Sequence, residues 1–297
     1  MTGDGVNDII ALKKADCSIA LANGAPATKN VSNLVLLDSD FNNMKEAVFE
    51  GRRVVNNVQR SSVLFVMKDV LWFFVNIIAL ILGTKQIFEP TIMTIVNTII
   101  SGIGSVFIAL EPDKRRIKGG FIQTVLSKSI IAGFYMFLPI VFVYIYAGIS
   151  CGGDISQITS IVESMFPVVS LCITIAGFVI FYEISKPFTK YRRILFISIL
   201  SVVALMLLAL PEAFLQNGSV WISDLTAHYD NIFEVLLGIL KSLFSFEIYK
   251  QFTLDRWIII GSFLIISNII YKLTNILMNK FLKKTLFNQN KFIDSDE

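Results

Sequence analysis

The sequence predicts a mainly α-helical membrane protein, with six transmembrane helices preceded by a short, incomplete α/β segment. Three observations predict it. Of 297 residues, 54% are hydrophobic and 16% charged, whereas soluble domains run at about 45–50% apolar and about 25% charged; mean hydropathy is +0.67. Six windows are long and apolar enough to cross roughly 30 Å of hydrocarbon: residues 62–82, 92–110, 124–147, 158–182, 194–214 and 257–278. Basic residues collect in alternate connections: Lys114, Arg115, Arg116 and Lys118, then Lys186, Lys190, Arg192 and Arg193, then Lys280, Lys283, Lys284 and Lys291. Positive charge resists translocation, so the chain is expected to be multi-pass with both termini cytoplasmic.

A net charge of +3 with basic residues beside apolar spans points to membrane lipid as a partner and not to nucleic acid. Cys17, Cys151 and Cys172 are too scattered for a disulfide framework or a zinc site. The opening residues lack the basic flank and apolar core of a cleavable signal peptide. Between the last two spans, residues 216–256 hold the only histidine, His228, read as a surface residue. They also hold an apolar run at 231–246, too short to cross comfortably and read as interfacial or re-entrant.

Residues 1–45 read as α/β material. Asp8 is expected to cap a short helix ending near Lys14, its side-chain oxygen accepting from first-turn amides. Residues 18–21 and 34–37 suit buried parallel strands, a turn falls at 23–26, and a second short helix at 27–33. So short a segment cannot bury enough surface to stand alone, and the rest of the sheet is expected upstream of Met1. From about Asn43 to Leu82 no proline intervenes, which predicts one long helix, with Gly51 as its weak point. The division is then 1–45 for a partial α/β domain, 46–281 for stalk and membrane bundle, and 282–297 for a cytoplasmic tail.

The opening run, TGDGVND at residues 2–8, has the residue types of a phosphate and magnesium loop. Gly3 and Gly5 let backbone and phosphate approach closely. Asp4 and Asp8 are hard oxygen ligands of the kind magnesium takes, one or two at a time. Thr2 and Asn7 add neutral hydrogen-bonding groups, and the following helix presents its N-terminus. The same residues are also ordinary turn formers, so on composition alone a plain turn stays open.

That run, followed by ALKKAD at 11–16 and EGRRVVNN at 50–57 entering an apolar helix, resembles the hinge motif, following segment and first C-terminal membrane stalk of P-type cation-transporting ATPases. The resemblance implies a haloacid-dehalogenase-like phosphorylation domain, ATP as the phosphoryl donor of the complete pump, and magnesium as cofactor. Asp4 would ligate the magnesium, Asn7 would contact the phosphoryl group, and Asp8 would support metal site and hinge, with Thr2 and Gly3 completing the catalytic loop. The family's Asp-Lys-Thr-Gly-Thr nucleophile motif, nucleotide-binding domain, actuator and four earlier helices do not occur in these residues. The expected partner is therefore the missing N-terminal part of a pump, in a bacterial plasma membrane. A non-catalytic remnant or regulatory subunit is a second reading, and a P-type transporter of a lipid or polyamine a third.

Polar groups inside membrane spans tend to line pathways or pair. By the same resemblance, Asp69 and Asn97 fall on ion-binding asparagines of calcium pumps, which makes a cation such as calcium the expected cargo. Trp72 stands where the family has a ligand glutamate and Ser101 where it has a ligand aspartate, while Lys68 adds a positive charge. Lys68 and Asp69 are thus either part of a transport path or two charges neutralised in packing. The FIALEP run at 107–112 is similar to that of a bacterial cation- or calcium-pump branch.

Overall fold

A computed structural model describes residues 1–38, 40, 42–82, 93–111, 113–117, 120–152, 155–209 and 253–293. The described chain is mainly helical. It divides into two compact units, Met1–Asn56 with Pro112–Ile117, and Asn57–Glu111 with Lys118–Glu297.

The first unit is built on a three-stranded parallel sheet, β1 (Thr2–Gly3), β2 (Ile19–Leu21) and β3 (Leu34–Leu36), in that spatial order. Thr2 pairs with Ile19 and Ala20 with Val35. The crossovers are α1 (Ile9–Lys14) and α2 (Pro26–Val31). Proline at the start of α2 is pre-set for helical φ and sacrifices no bonded amide. Ser18 and Asn33 fasten β2 to the start of β3: the Ser18 amide and hydroxyl both donate to Asn33 Oδ1, at 2.9 and 2.8 Å. Both expected strands and both helices lie within one or two residues of their predicted places, but β3 is largely exposed where the sequence predicts a buried strand. β1 falls in what the sequence presents as loop, because two residues carry no period.

The long helix is α3 (Asn42–Leu82). It runs through Gly51, which is exposed with no neighbour near its Cβ direction, so the weak point produces no break. Within the first unit, Asn56 Nδ2 donates to the carbonyls of Asp113 and Arg115, at 3.1 and 2.9 Å. Asp113 is buried and takes a two-pronged pair from the Arg115 guanidinium, at 2.7 and 2.8 Å.

The second unit is a helical bundle. After α3 come α4 (Val96–Leu110), α5 (Phe121–Ser150), α6 (Ile155–Ser164), α7 (Phe166–Ser185), α8 (Lys190–Ala209) and α9 (Leu254–Ile293). Among the described residues five helices, α3, α5, α7, α8 and α9, are long and apolar enough to cross a membrane, and α4 is a shorter apolar helix. This is a multi-pass helical membrane protein. α5 and α7 are central: 61% of each apolar window is buried, against 17–22% in α3, α8 and α9. Helices apolar all round belong inside such a bundle or against lipid. Leu64, Met67 and Leu71 of α3, Tyr135 and Met136 of α5, and Phe181 of α7 are almost wholly enclosed. Gly133 permits the close crossing of α3 and α5, since a Cβ there would sit 2.6 Å from Val70 and 2.7 Å from the Met67 carbonyl.

One predicted span needs correction. Residues 158–182 do not form one helix: α6 ends at Ser164 and α7 starts at Phe166, with Met165 between them at φ −96° and ψ 5°. Pro167 has no amide to donate, and its ring would clash with the carbonyl of residue 163 in a continuing helix. It is accommodated instead in the first turn of α7. Residue 92, residues 210–214 of the 194–214 window, His228 and the 231–246 run lie outside the described residues.

Candidate functional site

In the first unit the TGDGVND run leaves the carboxyl end of β1, the end at which open parallel sheets bind ligands. The Asp8 carboxylate folds back over the loop: its Oδ2 accepts from the Asp4 and Gly5 amides, each at 3.2 Å. It makes no side-chain cap bond to α1, which corrects the expected cap, because Asp8 closes a 3-10 turn over Val6–Asp8 that precedes the helix. Gly3 is required by this fold-back, since a Cβ there would lie 2.6 Å from that of Asp8. Two further anchors have no signal in the sequence. Thr28 of α2, fully buried, donates its hydroxyl to the Gly5 carbonyl at 2.9 Å, and the Ala25 amide donates to the Asp4 carbonyl at 2.8 Å. Nothing local marks Thr28, whose partner lies 23 positions earlier.

The backbone of the loop is therefore fixed from three sides while the side chains of Asp4 and Asn7 are exposed. Among the described residues no hydrogen bond or ion pair holds the Asp4 carboxylate. No group of three His, Cys, Asp or Glu side chains able to hold a metal exists among them either. A lone accessible carboxylate fits magnesium, which dehydrates reluctantly and takes one or two carboxylates with water and phosphate oxygens. It does not fit a zinc site or a calcium cage. Thr2 is half-buried in β1 and contributes ladder pairing.

In the second unit Asp69 is exposed on α3 and Lys68 is half-buried, its ammonium 4.9 Å from the Phe65 ring centroid. No ion pair between Lys68 and Asp69, and no hydrogen bond between Asp69 and Asn97, occurs among the described residues. Asn97, Thr98 and Ser101 all lie in Val96–Ile103, the part of α4 wound as a π-helix. Such windings are rare and cluster at functional sites. Asn97 is half-buried. Ser101 is fully buried and donates to the Leu64 carbonyl at 3.0 Å, so it ties α4 to α3.

The end of α4 carries a second polar cluster, to which the sequence alone assigns no role. Asn57 is buried and donates to the carbonyls of Ala109 and Glu111, at 2.8 and 3.0 Å. It thereby satisfies carbonyls that a helix end leaves without partners. The Glu111 carboxylate forms an ion pair with Arg192, which is 3% exposed, and accepts from the Thr189 hydroxyl. Arg192 also donates to the Ser185 and Pro187 carbonyls, at 3.4 and 3.3 Å. Asn57 ends the EGRRVVNN run and Glu111 sits in FIALEP, so both lie inside recognisable motifs.

No family model matches the chain. Among curated proteins it is 32% identical over 205 residues to the probable cation-transporting ATPase exp7 of Streptococcus pneumoniae, covering 66% of this chain and 25% of that protein. It is 37% identical over 143 residues to the calcium-transporting ATPase CtpE of Mycolicibacterium smegmatis, covering 45% of this chain and 18% of that protein. Over 150 residues it is 29% identical to an endoplasmic reticulum-type calcium-transporting ATPase of Arabidopsis thaliana, covering 50% and 15%. The curated homologues of this chain are thus P-type cation- and calcium-transporting ATPases. The chain spans a quarter or less of the length of these relatives.

Proposed function

We propose that these 297 residues serve as the hinge-loop and C-terminal membrane portion of an ATP-driven cation transporter in a bacterial plasma membrane, with both termini cytoplasmic. The observation that carries this reading is the opening loop. Its backbone is clamped by Asp8, Thr28 and Ala25 while the Asp4 carboxylate and Asn7 amide are left exposed. The parallel sheet and crossover helices beside it support a haloacid-dehalogenase-like phosphorylation domain of which this is one part.

In that role Asp4 would hold magnesium, and Asp8, with Oδ2 committed to two amides, would keep the loop in shape while offering its other oxygen to the site. Bound there, the ion would supply Lewis-acid neutralisation of a phosphoryl oxygen. Asn7 would orient the phosphoryl group by donating its amide hydrogens. Asp69 and Asn97 would contribute oxygens to the cation path. Their carboxylate and amide chemistry suits a hard cation such as calcium, although two groups supply only part of the roughly 6–8 oxygens calcium takes. Ser101 and Lys68 would shape the path, Ser101 by fixing the π-helical segment against Leu64 and Lys68 by setting its charge. The relatives named for calcium and the π-helical setting of Asn97 support this assignment.

The Asp-Lys-Thr-Gly-Thr nucleophile motif does not occur in these residues, and an aspartyl-phosphate cycle needs that carboxylate. The purified chain by itself is accordingly expected to form no acid-stable phosphoenzyme. Vanadate-sensitive ATP hydrolysis by the isolated 297 residues would overturn these residue roles. The lipid or polyamine reading rests on Lys68 and Trp72 in α3. It is separated by testing which added substrate stimulates ATP hydrolysis once a nucleophile-bearing segment is joined to the chain.

A further inference from the structure

At the end of the bundle that carries Lys186 and the basic residues after it, a cavity of about 290 Å³ opens between α3, α5, α7 and α9. Its inner wall is apolar and buried, formed by Val63, Ile131, Ala132 and Ile180. Its outer side carries Lys128, Glu183, Lys186, Tyr271 and Asn275. Lys128 and Lys186 are exposed, and Glu183, Tyr271 and Asn275 half-buried. Glu183 pairs with Lys186 at 2.6 Å, and with one carboxylate against two ammonium groups the lining is net positive. Ammonium, phenol and amide groups from three helices converge on one opening as hydrogen-bond donors.

We propose that this cavity binds the phosphodiester headgroup of an anionic membrane phospholipid. Two lysines disfavour a cation. A phosphodiester brings one negative charge and several acceptor oxygens, and charge-assisted bonds to ammonium groups are the stronger kind. Ionisable groups placed among membrane helices are costly, pair with one another and mark binding sites, and basic pockets between helices on the cytoplasmic side bind anionic headgroups. The apolar inner wall selects the source: it suits the glycerol and upper acyl carbons of a lipid and offers nothing to inorganic phosphate. This site rests on the cytoplasmic orientation proposed above but needs neither the opening loop nor an ATP cycle.

The test takes the full chain in detergent micelles and titrates it with phosphatidylglycerol, phosphatidylcholine or inorganic phosphate, following bound lipid by native mass spectrometry and unfolding by temperature. Phosphatidylglycerol is expected to bind and raise the unfolding temperature, while the other two do neither. Lys128→Gln should weaken phosphatidylglycerol binding about fivefold, Lys128→Arg should retain it, and Lys190→Gln, outside the cavity, should leave it unchanged. Tyr271→Phe provides a second variant of minimal folding risk and should weaken binding through one lost donor. Equal binding of phosphatidylcholine, equal loss on Lys190→Gln, or unchanged binding in both Lys128→Gln and Tyr271→Phe would overturn the proposal. So would inorganic phosphate producing the whole stabilisation, which would assign the pocket to a soluble anion.

Discussion

The Thr28 hydroxyl donates to the Gly5 carbonyl from a position with no solvent exposure, so a helix that begins more than twenty positions along the chain fixes the loop's shape. Replacing Thr28 with valine keeps the volume but removes the donor, leaving a carbonyl unpaired at a cost of about 1–3 kcal/mol. Amide exchange of residues 4–8 is expected to accelerate in Thr28→Val and to stay near the parent rate in Thr28→Ser. Unchanged exchange in Thr28→Val would remove the anchoring role.

Gly133→Leu places a large side chain where even a Cβ would overlap Val70 and the Met67 carbonyl. Backbone cannot yield as a side chain can, so a loss of at least about 1–3 kcal/mol is expected. The check is a lowered unfolding temperature in detergent for Gly133→Leu, against a near-parental value for leucine at Gly148, where nothing lies within 4 Å.

Buried ion pairs are costly to break and often cheap to replace. Glu111→Leu or Arg192→Met should each cost about 3–5 kcal/mol by stranding the other charge, whereas Glu111→Leu with Arg192→Met should recover much of the loss. Thermal unfolding of the four proteins forms a double-mutant cycle. Additive losses would show that the two side chains do not act as a pair.

Much of the fold is legible in the sequence because it rests on local pattern. A proline-free run predicts α3, apolar windows mark the apolar helices that follow it, and short β-rich runs predict β2 and β3. The break at Met165 is harder to read, because Pro167 is compatible both with a kinked membrane helix and with the first turn of a new one. Asp8 does stand at a helix start, but its partners differ from those expected, since residue type does not tell whether a carboxylate reaches forward into α1 or back to Asp4 and Gly5. Thr28 and Arg192 act through partners distant in sequence and carry no local signal, and the FIALEP run that holds Glu111 does not name its partner. The π-helical winding around Asn97 has no residue signature of its own.

For the cation path, Asp69→Asn keeps side-chain shape and removes charge. In a pump assembled from this chain and a nucleophile-bearing upstream segment, it is expected to reduce cation-stimulated ATP hydrolysis with little loss of membrane insertion. If Lys68 and Asp69 only neutralise each other, Asp69→Asn with Lys68→Met should restore full stimulation. Full stimulation in that double variant would eliminate the Asp69 charge from ion binding.

Orientation is tested by single cysteines at Ile117, Thr189 and Asn290. All three are expected to react with an impermeant thiol reagent only from the cytoplasmic side, because basic connections stay inside. External labelling of Asn290 alone would mean that an additional segment crosses between α8 and the chain end.

Whether residues 2–8 form a magnesium and phosphate loop or a plain turn is measured most directly by acid-stable phosphoenzyme formation in the assembled pump. Asp4→Ala removes the exposed carboxylate without touching the Asp8, Thr28 or Ala25 anchors. A magnesium and phosphate loop predicts phosphorylation from ATP lowered about a hundredfold or more in Asp4→Ala, with exchange of the loop amides unchanged. Parental phosphoenzyme levels and rate in Asp4→Ala would contradict it.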